Sequence, residues 1–291
     1  MRDHPLTGYF LMTFTLSWCW MALAFGVLRL PMMGVGGTLG PLIGPCLSAF
    51  VMTAVTQGRA GVLRLLRRFV LWRVSPLWYV AVLLGWPLLV VAAVLAHAGT
   101  LDVLRAPALG FGLTYLGAFA HILVLGGPLG EEPGWRGFAL PGLQERIGPL
   151  LGSLLLGALH AIWHLPVFLL VPGYNGSPTD LPGMLVVFAW FTAGVTAGAV
   201  TFTWLFNNTR GSLLIAMLHH ATANCVGFVM QGFFAGADVL GALGQVRAPL
   251  QIALALVVIA ATRGRLSYGR HRREIGAPGT DDRRSEGYAA R

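Results

Sequence analysis

Eight stretches of mostly apolar residues, most of them about twenty residues long, recur along this chain, and their length limits what it can fold into. An α-helix rises 1.5 Å per residue, so about twenty apolar residues cross the hydrocarbon core of a bilayer. The stretches lie near 8–28, 37–56, 76–98, 108–128, 150–171, 183–206, 211–233 and 248–262, the last of them short. In lipid a spanning segment must satisfy its own backbone polar groups, and a helix does so. The expected fold class is all-α, a polytopic membrane helix bundle with about eight transmembrane helices. Charge agrees: 11% of the 291 residues are charged, against about 25% in an ordinary soluble domain.

The net charge of +9 does not point to nucleic acid, because of where it sits. Every basic residue is an arginine, and the arginines cluster at 59–73 and after residue 262. Basic clusters beside apolar segments mark cytoplasmic connections and meet anionic lipid headgroups. With eight spans both termini are cytoplasmic, and only Arg29, Arg105 and Arg247 fall outside. Seven spans would export the arginine-laden tail. The expected setting is therefore the plasma membrane, with membrane lipid as a partner and no nucleic acid. The stretch GRAGVLRLLRRFVLWRV is amphipathic and suits the cytoplasmic interface. Residues 1–262 read as one membrane domain and 263–291 as a basic, disordered cytoplasmic tail. Ala22, Leu23 and Ala24 would pass as a signal-peptide cleavage site. The apolar run continues past them, and a retained first span is expected. Cys19, Cys46 and Cys225 form no ligand pattern.

An ionisable residue within a span costs at least ~2.5–3.5 kcal/mol on the insertion scale, so each is a functional suspect. Few acids qualify. Glu131 and Glu132, in GGPLGEEPGWRG, adjoin the inner end of the fourth span, and Arg136 follows Glu132 at i+4. The Glu-before-Arg order favours an ion pair, which leaves Glu131 free for other work. The pair requires helix through Pro133, tolerable if Pro133 lies in a first turn. His160 and His164 stand four apart in HAIWH of the fifth span, on one helix face. That spacing matches the zinc-protease helix HExxH, but Ala161 occupies the place of its glutamate. His220 and Asn224 stand four apart in HATAN of the seventh span. Buried polar groups need partners on other helices. For His160, His121 and His219 cross-helix packing is the simpler reading, and His97 falls near an outer interface.

Together these pieces resemble the CPBP family of intramembrane proteases, also called the Abi or CAAX-protease family. Its EExxxR motif reads EEPGWR here, its aromatic-xxxH motif reads HAIWH with His160 in the aromatic place, and its HxxxN motif reads HATAN. The matching core covers about 108–230. The resemblance implies an endopeptidase acting on a membrane-associated or lipidated peptide near the cytoplasmic face. It implies Glu131 as the base for water, His164 holding that water, His220 and Asn224 stabilising the oxyanion, and Glu132 with Arg136 as an ion pair or substrate anchor. Glu131, His164 and His220 also make a two-histidine, one-carboxylate set suited to Zn2+, with His160 as a further candidate ligand. The residue types support hydrolysis with zinc or with no metal. A proton-coupled transporter with buried Glu and His, and a silent scaffold or immunity protein, are the competing classes.

Overall fold

The computed structural model describes residues 3–235 and 237–276, and among them every regular element is helical. The order is α1 (Pro5–Met21), α2 (Gly37–Pro41), α3 (Leu47–Phe69), α4 (Pro76–Ala98), α5 (Phe111–Leu125), α6 (Pro128–Glu132), α7 (Leu140–Ile147), α8 (Pro149–Trp163), α9 (Leu165–Leu170), α10 (Leu181–Asn208), α11 (Leu213–Phe233), α12 (Ala237–Thr262) and α13 (Tyr268–Gly276). Wide, π-type turns extend α1 through Val27, join α2 to α3 over Leu42–Cys46, and join α6 to α7 over Pro133–Ala139.

Seven of the resulting continuous helical paths are long and apolar enough to cross a membrane, from Pro5–Val27 to Leu213–Phe233. The short eighth stretch is the apolar segment Val246–Thr262 of α12. Local sequence sets the boundaries. Proline opens α4 and α8 where its missing N–H leaves no bond unmade, and Asp180 and Ser212 cap α10 and α11 through their side chains. Gly99, at φ 66°, ends α4 in the left-handed conformation glycine favours.

Contacts between turns sort the bundle into two ends. At one end Ser212 donates to the Leu71 carbonyl at 2.7 Å, and Asn207 donates to Gln144 and to the Leu266 carbonyl, both at 2.8 Å. Leu6, near the start of the chain, packs against Gly142 at this same end. Here lie Arg59–Arg73, Arg146, Arg210, Arg263 and Arg265, so this is the arginine-rich end. At the other end the turn after α4 meets the end of α11, with Arg105 N–H donating to the Phe233 carbonyl at 3.0 Å. The chain alternates between these ends along the seven long apolar paths and α12.

Two features depart from a simple ladder of spans. Gly58, at φ 63°, breaks α3, and the piece beyond it is the amphipathic arginine stretch, with Leu65 buried and Leu63 and Leu66 exposed. Residues 263–276, expected within a disordered tail, instead carry α13. It docks through buried His271, whose ring centre lies 5.4 Å from that of Phe206. Residues 277–291 of that expected tail lie outside the described residues.

The helices that carry the site approach closely because small residues line their contacts. A Cβ on Gly157 of α8 would come 2.6 Å from the Thr196 backbone of α10. Helix α11 is the central element: 67% of its most apolar stretch is buried, against 11% for the path through α5.

Candidate active site

The sequence PLGEEPGWRG builds one wall of the site through its glycines. Gly130 and Gly134, one turn apart, press onto the π-type segment of the second span: a Cβ on Gly130 would meet Pro41 at 2.7 Å, and one on Gly134 would meet Pro45 at 2.6 Å. The glutamate helix thus packs backbone to backbone against Pro41–Pro45. Gly127, at φ 114°, turns the chain off α5, and a side chain there would sit 2.6 Å from Glu131 Oε1. Pro133 falls where α6 gives way to the wide turn, so the helix continues across it.

The two carboxylates, both buried, have different surroundings. Glu132 Oε1 accepts from Arg136 Nη1 at 3.0 Å and lies 2.7 Å from His220 Nδ1. The Arg136 guanidinium also stacks over Phe202, 4.0 Å from its centroid. Glu132 therefore ties α6 to α11 and Arg136 to α10. Glu131 Oε2 lies 2.7 Å from His160 Nε2 of α8. With Glu131 ionised, His160 donates that bond through Nε2–H. The His160 ring stacks against Trp135 at 4.9 Å, in the place the family motif gives to an aromatic. His164 begins the turn into α9, and its Nδ1 lies 2.9 Å from the His160 carbonyl, which can only accept. Nδ1 therefore carries the hydrogen, and Nε2 is the free nitrogen.

The metal-capable set differs from the one expected. Ligand atoms of Glu131, His160 and His164 lie within 4.8 Å of one another; His220 is not in this group and is held to Glu132 instead. The three donors are of the right kind for zinc, two nitrogens and an oxygen. The His164 Nδ1 bond to a backbone carbonyl fixes its tautomer as metal-ligating histidines require.

A cavity of about 450 Å3 opens from this cluster. Glu131, Arg136, His160, His164, His220 and Asn224 all line it, as does His121. Its other wall residues include Gly34 and Gly36 before α2, Tyr174 and Asn175 after α9, and Arg247 in α12, all toward the arginine-poor end. On the other side Gly137 seals the floor against Leu65 and Leu213, and Arg68 donates to the Gly137 carbonyl at 3.2 Å. The cavity thus leads away from the end at which the arginines predict the cytoplasm. His219, by contrast, is cross-helix packing: Trp86 Nε1 donates to its Nε2 at 3.3 Å.

His160 is the residue that sequence reasoning undervalued. Its signal was the four-residue register with His164, which aims both rings from one helix face at one point. Tyr174 carries no sequence signal, and Arg247 reads only as one of the outside arginines, because both fall at span edges, where tyrosine and arginine are ordinary.

Residues 114–226, which contain all of Glu131, Glu132, Arg136, His164, His220 and Asn224, match a family described as type II CAAX prenyl endopeptidase Rce1-like. The protein called CAAX prenyl protease 2 of Methanococcus maripaludis is 26% identical over 95 residues, which are 32% of this chain and 34% of that protein. The chain spans about a third of the length of that relative.

Proposed function

We propose, from the match of residues 114–226 to the Rce1-like family of type II CAAX prenyl endopeptidases, that this chain hydrolyses a peptide bond of a membrane-associated or lipidated peptide. The observation that carries the proposal is the inequality of the paired glutamates. Glu132 shares Oε1 between Arg136 and His220 and keeps its Oε2 buried off the cavity wall, whereas Glu131 keeps one oxygen on His160 and lines the cavity, with the other on the side of Gly127.

Glu131 acts as general base. It takes a proton from water while His160 holds its carboxylate in place, and general-base assistance of this kind contributes about 10²–10⁴-fold. His164, with Nε2 free, holds the attacking water. The oxygen adds to the scissile carbonyl and charge develops on the carbonyl oxygen. Asn224 donates its amide N–H to that oxyanion. His220 donates through Nε2 when doubly protonated, with Glu132 as its counter-ion. The proton on Glu131 then passes to the leaving nitrogen as the C–N bond breaks. Glu132 and Arg136 fix the position of His220 without touching the reacting atoms.

A second version is favoured by the close grouping of Glu131, His160 and His164. These three would hold a zinc ion, which supplies a bound water of lowered pKa. The roles of His220, Asn224 and the Glu132–Arg136 pair are unchanged in it.

Purified protein incubated with a library of membrane peptides tests the proposal, with Glu131→Ala, His164→Ala and His220→Ala beside the wild type and with and without chelator. Cleavage that depends on all three residues is expected. Cleavage untouched by Glu131→Ala sinks the mechanism. Loss with chelator and recovery with zinc selects the metal version. Proton flux in liposomes that needs Glu131, without cleavage, selects a transporter.

A further inference from the structure

A peptide reaching Glu131 through the cavity meets a second polar station. Arg247 and Gln251, one turn apart on α12, line the wall remote from the glutamates, and Tyr174 enters from the turn after α9. Tyr174 lines the same cavity as Glu131 and Arg247 and feels the charge of both. Burial pushes its phenol up to about 12, so it is a neutral hydrogen-bonding group beside Arg247 and not a counter-ion.

Arg247 is unusual among the arginines of this site. Arg136 has Glu132 at 3.0 Å. Arg247 has no ion-pair partner among the described residues, although it faces a cavity walled by side chains such as Phe25, Phe191 and Phe228. An arginine within a membrane bundle is costly and faces a cavity or a partner. Here the cavity is present, and no ion-pair partner is found among the described residues. A guanidinium is matched in shape to a carboxylate, which it binds through two parallel hydrogen bonds.

We propose that Arg247, flanked by Tyr174 and Gln251, binds the terminal α-carboxylate of the peptide substrate and thereby sets which bond lies over Glu131. The proposal rests on the hydrolase reading of the same cavity. It assigns a substrate contact to a residue outside the matched span 114–226. On hydrolysis water adds OH to the acyl carbon and H to the leaving nitrogen. The short C-terminal fragment departs as an amine that still carries the carboxylate held by Arg247. Arg247 is a positioning residue: it grips the substrate away from the reacting atoms.

Binding and turnover separate this inference from the hydrolase reading. Full-length protein carrying Glu131→Gln, to stop turnover, is titrated with one fluorescent prenylated peptide in two forms, free acid and C-terminal amide, and anisotropy is read. The acid should bind at least about tenfold more tightly, the scale of one charge-assisted contact. Adding Arg247→Gln should bring the acid-to-amide ratio near one, and Arg247→Lys should retain part of it. The melting temperature of each variant shows that it is folded. Equal binding of the two forms by the Glu131→Gln protein, a preference that survives Arg247→Gln, or no binding of either form overturns the assignment. So does displacement of both forms alike by vesicles rich in anionic lipid, which would make Arg247 a headgroup site. Wild-type protein that binds the acid selectively but cleaves neither form overturns the hydrolase reading and leaves the carboxylate site standing.

Discussion

At the floor of the cavity, charged side chains meet partners supplied by the chain itself: Arg136 and His220 on Glu132, and His160 on Glu131, at 2.7–3.0 Å. Toward the arginine-poor end, Arg247 shares the cavity wall with Tyr174 and Gln251 and has no ion-pair partner among the described residues. The floor draws on α6, α8, α10 and α11, and its groups are fixed before any ligand arrives. The far wall leaves a cation for a ligand to complete. On the proposed hydrolysis the difference separates a pre-organised reaction centre from a recognition site, because hydrogen bonds that must act on a transition state gain by being set in advance, while a specificity contact must stay unmade until substrate binds.

The strongest challenge to this contrast is Glu131→Gln. It removes the base but keeps a hydrogen-bonding side chain beside His160, and turnover should fall by about 10³-fold in a peptide-cleavage assay. A loss of less than tenfold would take the reaction centre away from Glu131. Next is stability at the floor. Glu132→Ala strands the buried Arg136 and should destabilise the protein by about 3–5 kcal/mol in a denaturation titration. The double variant Glu132→Ala/Arg136→Met should recover much of the loss, and a wild-type melt for the single variant would show that the network holds nothing together. At the far wall the outcome inverts: Arg247→Gln breaks no ion pair among the described residues and should shift stability by less than about 1 kcal/mol. A loss there as large as that of Glu132→Ala would erase the distinction between the two regions.

The smallest effect lies outside both regions. Burial, aided by the Arg68 guanidinium and opposed by Glu274, lowers His271 to about 4. The folded chain then keeps His271 neutral down to that value, while the unfolded chain takes up a proton below about 6.5. Stability should be complete above pH 6.5 and decline as pH falls toward 4. Melting curves of wild type and His271→Phe across this window check the sign, since the variant should lack that part of the slope.

The helical class was written plainly in run length, and most crossings follow from it. The end of the fourth span was not. Gly126 and Gly127 look like a turn between two elements, and only the close approach of Gly130 and Gly134 to Pro41–Pro45 shows why the chain continues as a helix beyond them. The Glu132–Arg136 pair is legible because it is local, at i,i+4. The Glu131–His160 contact joins residues 29 apart, and Glu132–His220 joins residues 88 apart. Neither partner choice can be read from spacing, because it depends on how deep each helix sits. A histidine in an apolar run has packing as its ordinary explanation, with metal ligation the alternative for His160, and the geometry of α8 against α6 sets His160 on Glu131. The docking of α13 was hidden by its charge: one face of a short basic helix, through His271, suffices to hold it on Phe206.

Pro5 and α13 lie at the arginine-rich end of the bundle, and the cavity leads toward the opposite one. This polarity couples two questions that are usually asked separately. On the proposed hydrolysis, a peptide entering along this cavity comes from the side opposite the one in which a membrane-impermeant label finds the N-terminus. A single topology measurement on intact cells is therefore also an address for the peptides this protein can reach.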